Sequence, residues 1–480
     1  MRKQQDRGKQ NNVMKAGLGY TVGNILVNGI AFLSIPIFTR LLSTGEFGVY
    51  SSFMTYQGIL AMVIGCTLHT SLKNAKYDYP EERDQYHSSL LLLMLLLFGF
   101  FLLLGFVFRN FWGSLLSLSP LFVVPLVMYS FSSALMLFFN AELVLNYRYK
   151  PYLTASLLFS VSSMLLSVFF ILVCFPGDRA YGRILGGVIP ISLVGCYILW
   201  FYFRKQRPKV RRDYWSYGLK ISLPLIPHGL SQLILTQFDR VMILRIIGNS
   251  AAGIYSLAYT LATVLQIIFS SLDSIWTTWF FEKMSKNDVT AIRNKSRYYV
   301  LFVSLLTVMF FLVVPEVIKL FSGRSYWDAM YVVIPVCLSI YFSFLYYFPA
   351  GVEYYHKKTV FIAIGTMSAA AVNVLLNLWC IPRYGYTSAA YTTVASYLLY
   401  FIFHLLIVWK IERRFVFDLS ALLYCLIGTS LCAVFVQIFI NFPMLRWGVF
   451  ILLLSVCAVA AYRKRSVLLK FLKKESVDEI

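Results

Sequence analysis

Charge is what this 480-residue chain has least of: Asp, Glu, Lys and Arg make up 13% of it, about half the share of a soluble domain. With 59% hydrophobic residues and a mean hydropathy of +0.70, that scarcity excludes a string of soluble domains. It leaves a polytopic membrane protein whose length counts spans. Paired cysteines are missing as well. Cys66, Cys174, Cys196, Cys337, Cys380, Cys425, Cys432 and Cys457 lie singly in or near apolar stretches, so neither a metal site nor a disulfide framework is indicated. No G-x-x-x-x-G-K-[S/T] sequence occurs, so the chain carries no phosphate-cradling loop. Any energy source must then be an ion gradient, the membrane potential or the substrate gradient. A small-residue cleavage site is lacking too, and the first apolar run, about 26 residues, is longer than a signal-peptide core. The N-terminus is expected to be retained.

What is present is a succession of apolar runs long enough to cross about 30 Å of hydrocarbon. They fall at 14–39, 45–69, 88–108, 120–146, 152–175, 180–203, 217–247, 251–281, 298–321, 328–355, 359–381, 386–409, 419–441 and 444–462, fourteen in all, with Pro443 marking the last break. The basic residues alternate loop by loop. One set of loops, together with both termini, holds 32 of the 43 Lys and Arg. The alternate loops hold Arg40, Arg109, Arg179, Arg183, Arg245, Lys319, Arg324, Arg383 and Arg446, while Lys220 and Arg240 lie within the seventh run. The positive-inside rule then puts both termini in the cytoplasm. The net charge of +22 reads as a rim facing anionic headgroups rather than a nucleic-acid surface. Short outer loops exclude an outward soluble domain.

The segment Arg40-Leu-Leu-Ser-Thr-Gly-Glu-Phe-Gly48-Val-Tyr50-Ser51 returns 205 residues later as Arg245-Ile-Ile-Gly-Asn-Ser-Ala-Ala-Gly253-Ile-Tyr255-Ser256. Lys15 and Lys220 share the same offset. The first and seventh spans therefore run in the same direction, as in a parallel repeat about an axis along the membrane normal. The reading is an all-α integral membrane protein of about 14 transmembrane helices. Its organisation is an N-terminal lobe, 1–203, a basic cytoplasmic linker, 204–216, a C-terminal lobe, 217–411, and two further spans with a basic tail, 412–480. Internally repeated membrane bundles are most often transporters that bind substrate where the repeats meet.

Four phrases carry a family likeness: Arg40 to Tyr50, Leu223-Pro-Leu-Ile-Pro227, Asp239-Arg240, and Ala252-Gly-Ile-Tyr-Ser-Leu-Ala-Tyr259. They resemble the bacterial polysaccharide transporter family, the Wzx-type O-antigen flippases of the multidrug/oligosaccharidyl-lipid/polysaccharide (MOP) exporter superfamily. The resemblance implies a MATE-like, V-shaped, two-lobe transporter of the bacterial inner membrane that works by alternating access. Its implied cargo is an undecaprenyl-diphosphate-linked oligosaccharide, moved from the cytoplasmic to the outer leaflet for cell-surface polysaccharide synthesis. Membrane lipids, a polymerase and chain-length machinery are the implied partners, with no cofactor, metal or nucleic acid.

Polar residues inside spans are costly unless they face a bundle interior or water. His228, Gln232, Thr236 and Asp239 recur at helical steps along the seventh span, followed by Arg240; Gln266 and Asp273 do so along the eighth. Asn24 and Asn28 mark the first span, Asn373 and Asn377 the eleventh. These eleven residues are the candidate lining of a hydrated cleft, with interhelical hydrogen bonding as the competing use of each. Arg240 is a candidate for phosphate, which a guanidinium fork suits, or for a structural ion pair. Glu142, Glu353 and His356 read as interface residues, and His69 and His404 as packed or interfacial. Three other functions compete. A cation-coupled multidrug antiporter often uses an acidic residue in the first span, and residues 14–38 hold none. A lipid II flippase would be expected to place several deep arginines, where only Arg240 qualifies. A polymerase or ligase enzyme needs a sizeable outer loop.

Overall fold

The computed structural model describes residues 2–463, with side chains for 17, 19–459, 462 and 463. The basic residues of the notional N-terminal rim (Arg2 to Lys15) and of the tail beyond Arg463 lie outside those described side chains. Among the described residues there are helices and no strands. In chain order they are α1 (Arg2–Leu41), α2 (Thr44–Gly65), α3 (Leu72–Asp78), α4 (Arg83–Val107), α5 (Arg109–Leu116), α6 (Val123–Leu145), α7 (Tyr149–Phe169), α8 (Arg179–Lys205) and α9 (Arg212–Ser222). There follow α10 (Ile226–Ile246), α11 (Asn249–Ser285), α12 (Val289–Phe321), α13 (Met330–Leu345), α14 (Tyr347–Tyr355), α15 (Thr359–Tyr384), α16 (Ser388–Glu412), α17 (Leu419–Ile438) and α18 (Pro443–Arg463).

Among the described residues twelve segments are long and apolar enough to cross a membrane, so the expected fourteen is an approximate count. Two expected spans fall short for visible reasons. The seventh is split by a 3-10 turn at Leu223–Leu225, where Pro224 and Pro227 supply no backbone N–H, and the 21-residue helix that restarts at Ile226 carries His228, Gln232, Gln237, Asp239 and Arg240, which make it too polar for an apolar span. The last offers only Pro443–Val459 as an apolar helix. The tenth bends where α13 gives way to α14, just before Pro349.

The residues group into two compact units. The first takes in Met1–Leu257, Phe321–Tyr326 and Ala363–Thr392, the second Ala258–Leu320, Trp327–Ile362 and Thr393–Ile480. In the first unit Phe53, Tyr86, Leu90, Leu135, Phe138, Ile184 and Ile198 are buried where α2, α4, α6 and α8 meet. Lipid tails are as apolar as Leu, so such helices associate through close packing and hydrogen bonds rather than hydrophobic burial. Gly182-x-x-x-Gly186 in α8 serves that packing: a Cβ on Gly186 would lie 2.4 Å from the Ser167 Cα of α7. The short helix α9 is tied down by polar contacts. Trp215 Nε1 donates to the Ser89 carbonyl at 2.9 Å, and the Tyr214 and Tyr217 hydroxyls donate to Glu82 and Asp78.

The second unit holds α18 through one buried cation. Arg446, wholly buried, donates to the Leu312 carbonyl at 3.0 Å and to both carboxylate oxygens of Glu316, at 2.8 and 2.5 Å. A second buried pair joins α14 to α16: His404 Nδ1 lies 2.6 Å from Glu353 Oε1, both side chains 0% exposed. Tyr346 and Tyr400 flank the imidazole at 4.8 and 4.6 Å between centroids.

Candidate functional site

Two features of the first unit organise its polar chemistry. One is the contact between the two copies of the repeat. Ser43 caps α2, accepting from the Glu46 N–H while Glu46 returns a bond to the Ser43 N–H at 2.7 Å, a capping box that explains why the helix starts at this phrase. The second copy begins α11 at Asn249, after Gly248 at φ +131°. The repeat glycines Gly48 and Gly253 then face each other's backbone. A Cβ on Gly48 would stand 2.0 Å from the Asn249 carbonyl oxygen and 2.8 Å from Gly253 N. One on Gly253 would stand 1.8 Å from the Thr44 carbonyl oxygen and 3.1 Å from Gly48 N. Thr44 Oγ1 donates to Ser250 Oγ at 3.1 Å across the same seam.

The other feature is a buried polar cluster one turn away along α11. Asp239, at the end of the α10 stripe, is 1% exposed. The Tyr255 hydroxyl donates to its Oδ2 at 2.6 Å, and Asn377 Nδ2 donates to its Oδ1 at 2.7 Å. Asn377 Nδ2 also reaches Asn373 Oδ1 at 3.2 Å, and its Oδ1 accepts from the Thr392 hydroxyl, which shares its proton with the Ala389 carbonyl at 2.8 Å. Residues of α10, α11, α15 and α16 are thereby knitted through one carboxylate, two amides and two hydroxyls. Among the described residues no group of three or more His, Cys, Asp or Glu could hold a metal ion. The first-copy counterpart of Tyr255 is used differently. Tyr50 accepts from Arg183 Nη2 at 3.1 Å, while the guanidinium lies 3.9 Å over the Phe38 ring and donates to Ser167 Oγ at 2.7 Å. One repeated tyrosine thus serves an anion, the other a cation.

Beside these lies a cavity of about 450 Å³ among α2, α4, α6 and Leu233 of α10, lined by Met54, Met62, Met94 and Met136 with Gln57 and His69. Methionine walls adapt to varied apolar shapes.

The sequence of residues 13–280 matches the family described as polysaccharide biosynthesis protein. The chain belongs to that family. A curated relative, Lsg locus putative protein 1 of Haemophilus influenzae, is 22% identical over 73% of this chain and 87% of its own length. Among solved structures, the lipid II flippase MurJ in its inward closed conformation aligns over 95% of this chain and 100% of its own, with a TM-score of 0.71 at 14% identity. An inward-facing multidrug resistance MATE family transporter of the MOP superfamily aligns over 83% and 99%, with a TM-score of 0.64 at 14% identity. This member of the polysaccharide biosynthesis family therefore has the fold of the MOP exporters.

In this family member the eleven expected lining residues fall into separate places. Asp239, Asn373 and Asn377 form the buried cluster above. Asn24 and Asn28 are exposed on α1, where Asn24 Oδ1 accepts from the Tyr152 hydroxyl at 2.8 Å and Asn28 Nδ2 donates to the Asn24 carbonyl at 2.8 Å. His228, Gln232, Thr236 and Arg240 are half-buried on α10, with the Thr236 hydroxyl donating back to the Gln232 carbonyl at 2.7 Å. In the second unit Gln266 is exposed, and Asp273 is half-buried, accepting from the Thr277 hydroxyl at 3.2 Å. Sequence reasoning missed Tyr255 and Thr392 as members of the cluster, and Gln57 and the methionines as cavity lining. Thr392 and Ser396 stand four apart in the twelfth span, a signal of the kind used elsewhere. The cavity gave none, because small and apolar residues such as Gly58 and Ala61 leave no polar stripe.

Proposed function

We propose that the chain is a flippase that carries an undecaprenyl-diphosphate-linked oligosaccharide from the cytoplasmic to the outer leaflet of the bacterial inner membrane. Membership of the polysaccharide biosynthesis family, matched over residues 13–280, is the observation that carries this reading. The expected lining residues, Asn24 and Asn28, His228 to Arg240, Gln266, Asp273, Asn373 and Asn377, serve the passage of the polar head, and the polyprenyl tail stays in lipid. The lobes 1–203 and 217–411 are the working halves, with 412–480 as an appendage. Both termini face the cytoplasm, and a polymerase with chain-length machinery acts on the product.

Two observations support the reading physically. The polar groups are hydrogen-bonding side chains rather than a dense set of charges, as sugar recognition requires. The buried Asp239 cluster couples four helices through interactions that a proton or an ion would disturb. The test is reconstitution of the purified chain into vesicles with a labelled lipid-linked oligosaccharide, and a parallel set carrying labelled lipid II. Protection of the oligosaccharide from an external glycosidase, lost on adding the chain, is the expected result; movement of lipid II alone would refute it. Cysteines placed at Arg211 and Arg245 should be labelled from opposite sides of the membrane, and same-side labelling would overturn the orientation.

A further inference from the structure

We propose that a pocket in the second unit, walled by Arg293, Arg297, Arg413 and Arg414, is a headgroup site for an anionic phospholipid, distinct from the transported lipid. The pocket has a volume of about 600 Å³ and sits where the start of α12, the end of α16 and the start of α17 converge. Positive-inside bias explains basic residues near a membrane face, but it does not gather four guanidinium groups, two from the first turns of α12 and two from the loop after α16, around one hollow.

The groups are pre-positioned, and their donors are only partly used. Arg293 Nε and Nη2 donate to the Phe415 carbonyl at 3.3 and 2.9 Å. Arg297 Nε donates to Asp418 Oδ2 at 2.8 Å, and Arg414 Nη2 to Asn287 Oδ1 at 3.2 Å. A guanidinium has five N–H donors, so several remain on each of these. Arg413 sits in the left-handed region at φ +55°, a conformation that favours glycine or asparagine; it turns back the chain between α16 and α17. Asp418 is the one carboxylate of the lining, and it is already engaged as the cap of α17, accepting from Ala421 N at 3.0 Å. Glu412, beside Arg414 at 3.9 Å, is shared with His356 at 2.5 Å. Four cations thus face one lining carboxylate and a neighbour.

The rim identifies the source of the phosphate. Trp409 lines the pocket and is half-exposed, its ring 5.5 Å from Phe415, as expected of an indole at headgroup depth. One helical turn further into the membrane, Leu406 on α16 and Leu423 and Tyr424 on α17 are exposed, an apolar bed for acyl chains. A basic hollow between span ends, opening onto such a bed, is the arrangement that binds anionic headgroups, and guanidinium forks match phosphate oxygens in pairs.

The proposal goes beyond the flippase reading, and its test measures lipid retention without transport, so the two fail independently. The full-length chain, purified from a mixture of phosphatidylglycerol and phosphatidylcholine, is examined by native mass spectrometry. The wild type should retain phosphatidylglycerol in several-fold preference. An Arg297→Gln/Arg413→Gln variant should bind it about thirtyfold more weakly, whereas Arg207→Gln/Lys209→Gln, in the basic segment before α9, should behave as wild type. If the pair does not fold, Arg413→Gln alone replaces it, with Arg413→Lys expected to restore retention. Equal losses in both pairs would reduce the effect to diffuse attraction and overturn the site. Displacement of the lipid by millimolar inorganic phosphate would overturn the assignment to a lipid.

Discussion

Gly253→Ala puts the contact between the two repeats to the sharpest test. The added Cβ would meet the Thr44 carbonyl oxygen at 1.8 Å and the Gly48 nitrogen at 3.1 Å. Non-bonded heavy atoms settle near 3.5 Å or more, so the seam must open by about 1.7 Å. Both obstacles are backbone atoms, which have no rotamer to change, and the cost should sit at the upper end of overpacking, about 3 kcal/mol. Gly48→Ala attacks the same seam from the other side, at 2.0 Å from the Asn249 carbonyl oxygen, and should cost about as much. The double variant should cost far less than the sum, because the first alanine has already separated the backbones. Gly99→Ala is the control. Nothing lies within 4 Å of its Cβ position, and within α4 alanine is favoured over glycine by about 1 kcal/mol. Thermal midpoints of the four purified variants, followed by intrinsic fluorescence in one detergent, decide the matter. If Gly253→Ala melts with Gly99→Ala, the close approach of the repeats is wrong.

Four other outcomes are expected. Gly45→Cys with Asn249→Cys should form a disulfide under mild oxidation, since the Cβ positions stand 3.6 Å apart, inside the range for such bonds; a gel shift under non-reducing conditions reads it, and its absence under copper-phenanthroline would count against the seam. Tyr255→Phe removes one hydrogen bond to the Asp239 carboxylate and should cost about 1.5–3 kcal/mol in thermal stability, with Tyr50→Phe, which touches Arg183, leaving the Asp239 cluster intact. His404→Leu strands the Glu353 carboxylate and should cost about 3–5 kcal/mol, whereas Glu353→Gln keeps an acceptor for the ring and should cost clearly less; equal melting of the two variants would refute the pairing. Burial pushes the Asp418 carboxyl up, but the Ala421 N–H and the Arg297 guanidinium outweigh it and hold it below its ordinary value. A depressed carboxyl contributes stability above its unfolded value of about 4 and loses it as pH falls through the folded value. The thermal midpoint of Asp418→Asn should therefore depend less on pH than the wild type's below about pH 4.

Helix existence was legible because apolar runs and turn residues report on the chain locally. The seventh run, read as the single stretch 217–247, breaks where Pro224 and Pro227 act through their own missing N–H groups. The repeat was legible because it recurs at constant spacing. What was not legible was pairing. The steps from His228 to Asp239 define a face of α10 without saying what that face meets. Asp239 finds Asn377 138 residues on, a relation no helical period encodes. Tyr255 read as a member of the repeated phrase, yet its hydroxyl reaches back 16 residues to the same carboxylate. Glu353 and His404 read as two unrelated residues, and folding makes them one buried pair. Side chains whose role is set by a partner on another helix are the ones that sequence alone leaves open.

The glycine seam also bears on how the two halves of the gene could diverge. Where like residues of two copies meet face to face, each copy is the steric environment of the other. A larger residue at Gly48 is excluded by the backbone around Gly253, and the reverse holds equally. Neither copy can drift alone, however freely the distant helices change. The surroundings of the two tyrosines, Arg183 for one and Asp239 for the other, lie off that contact and have parted company. The short phrase in which duplication is still readable marks the place where the two halves constrain one another.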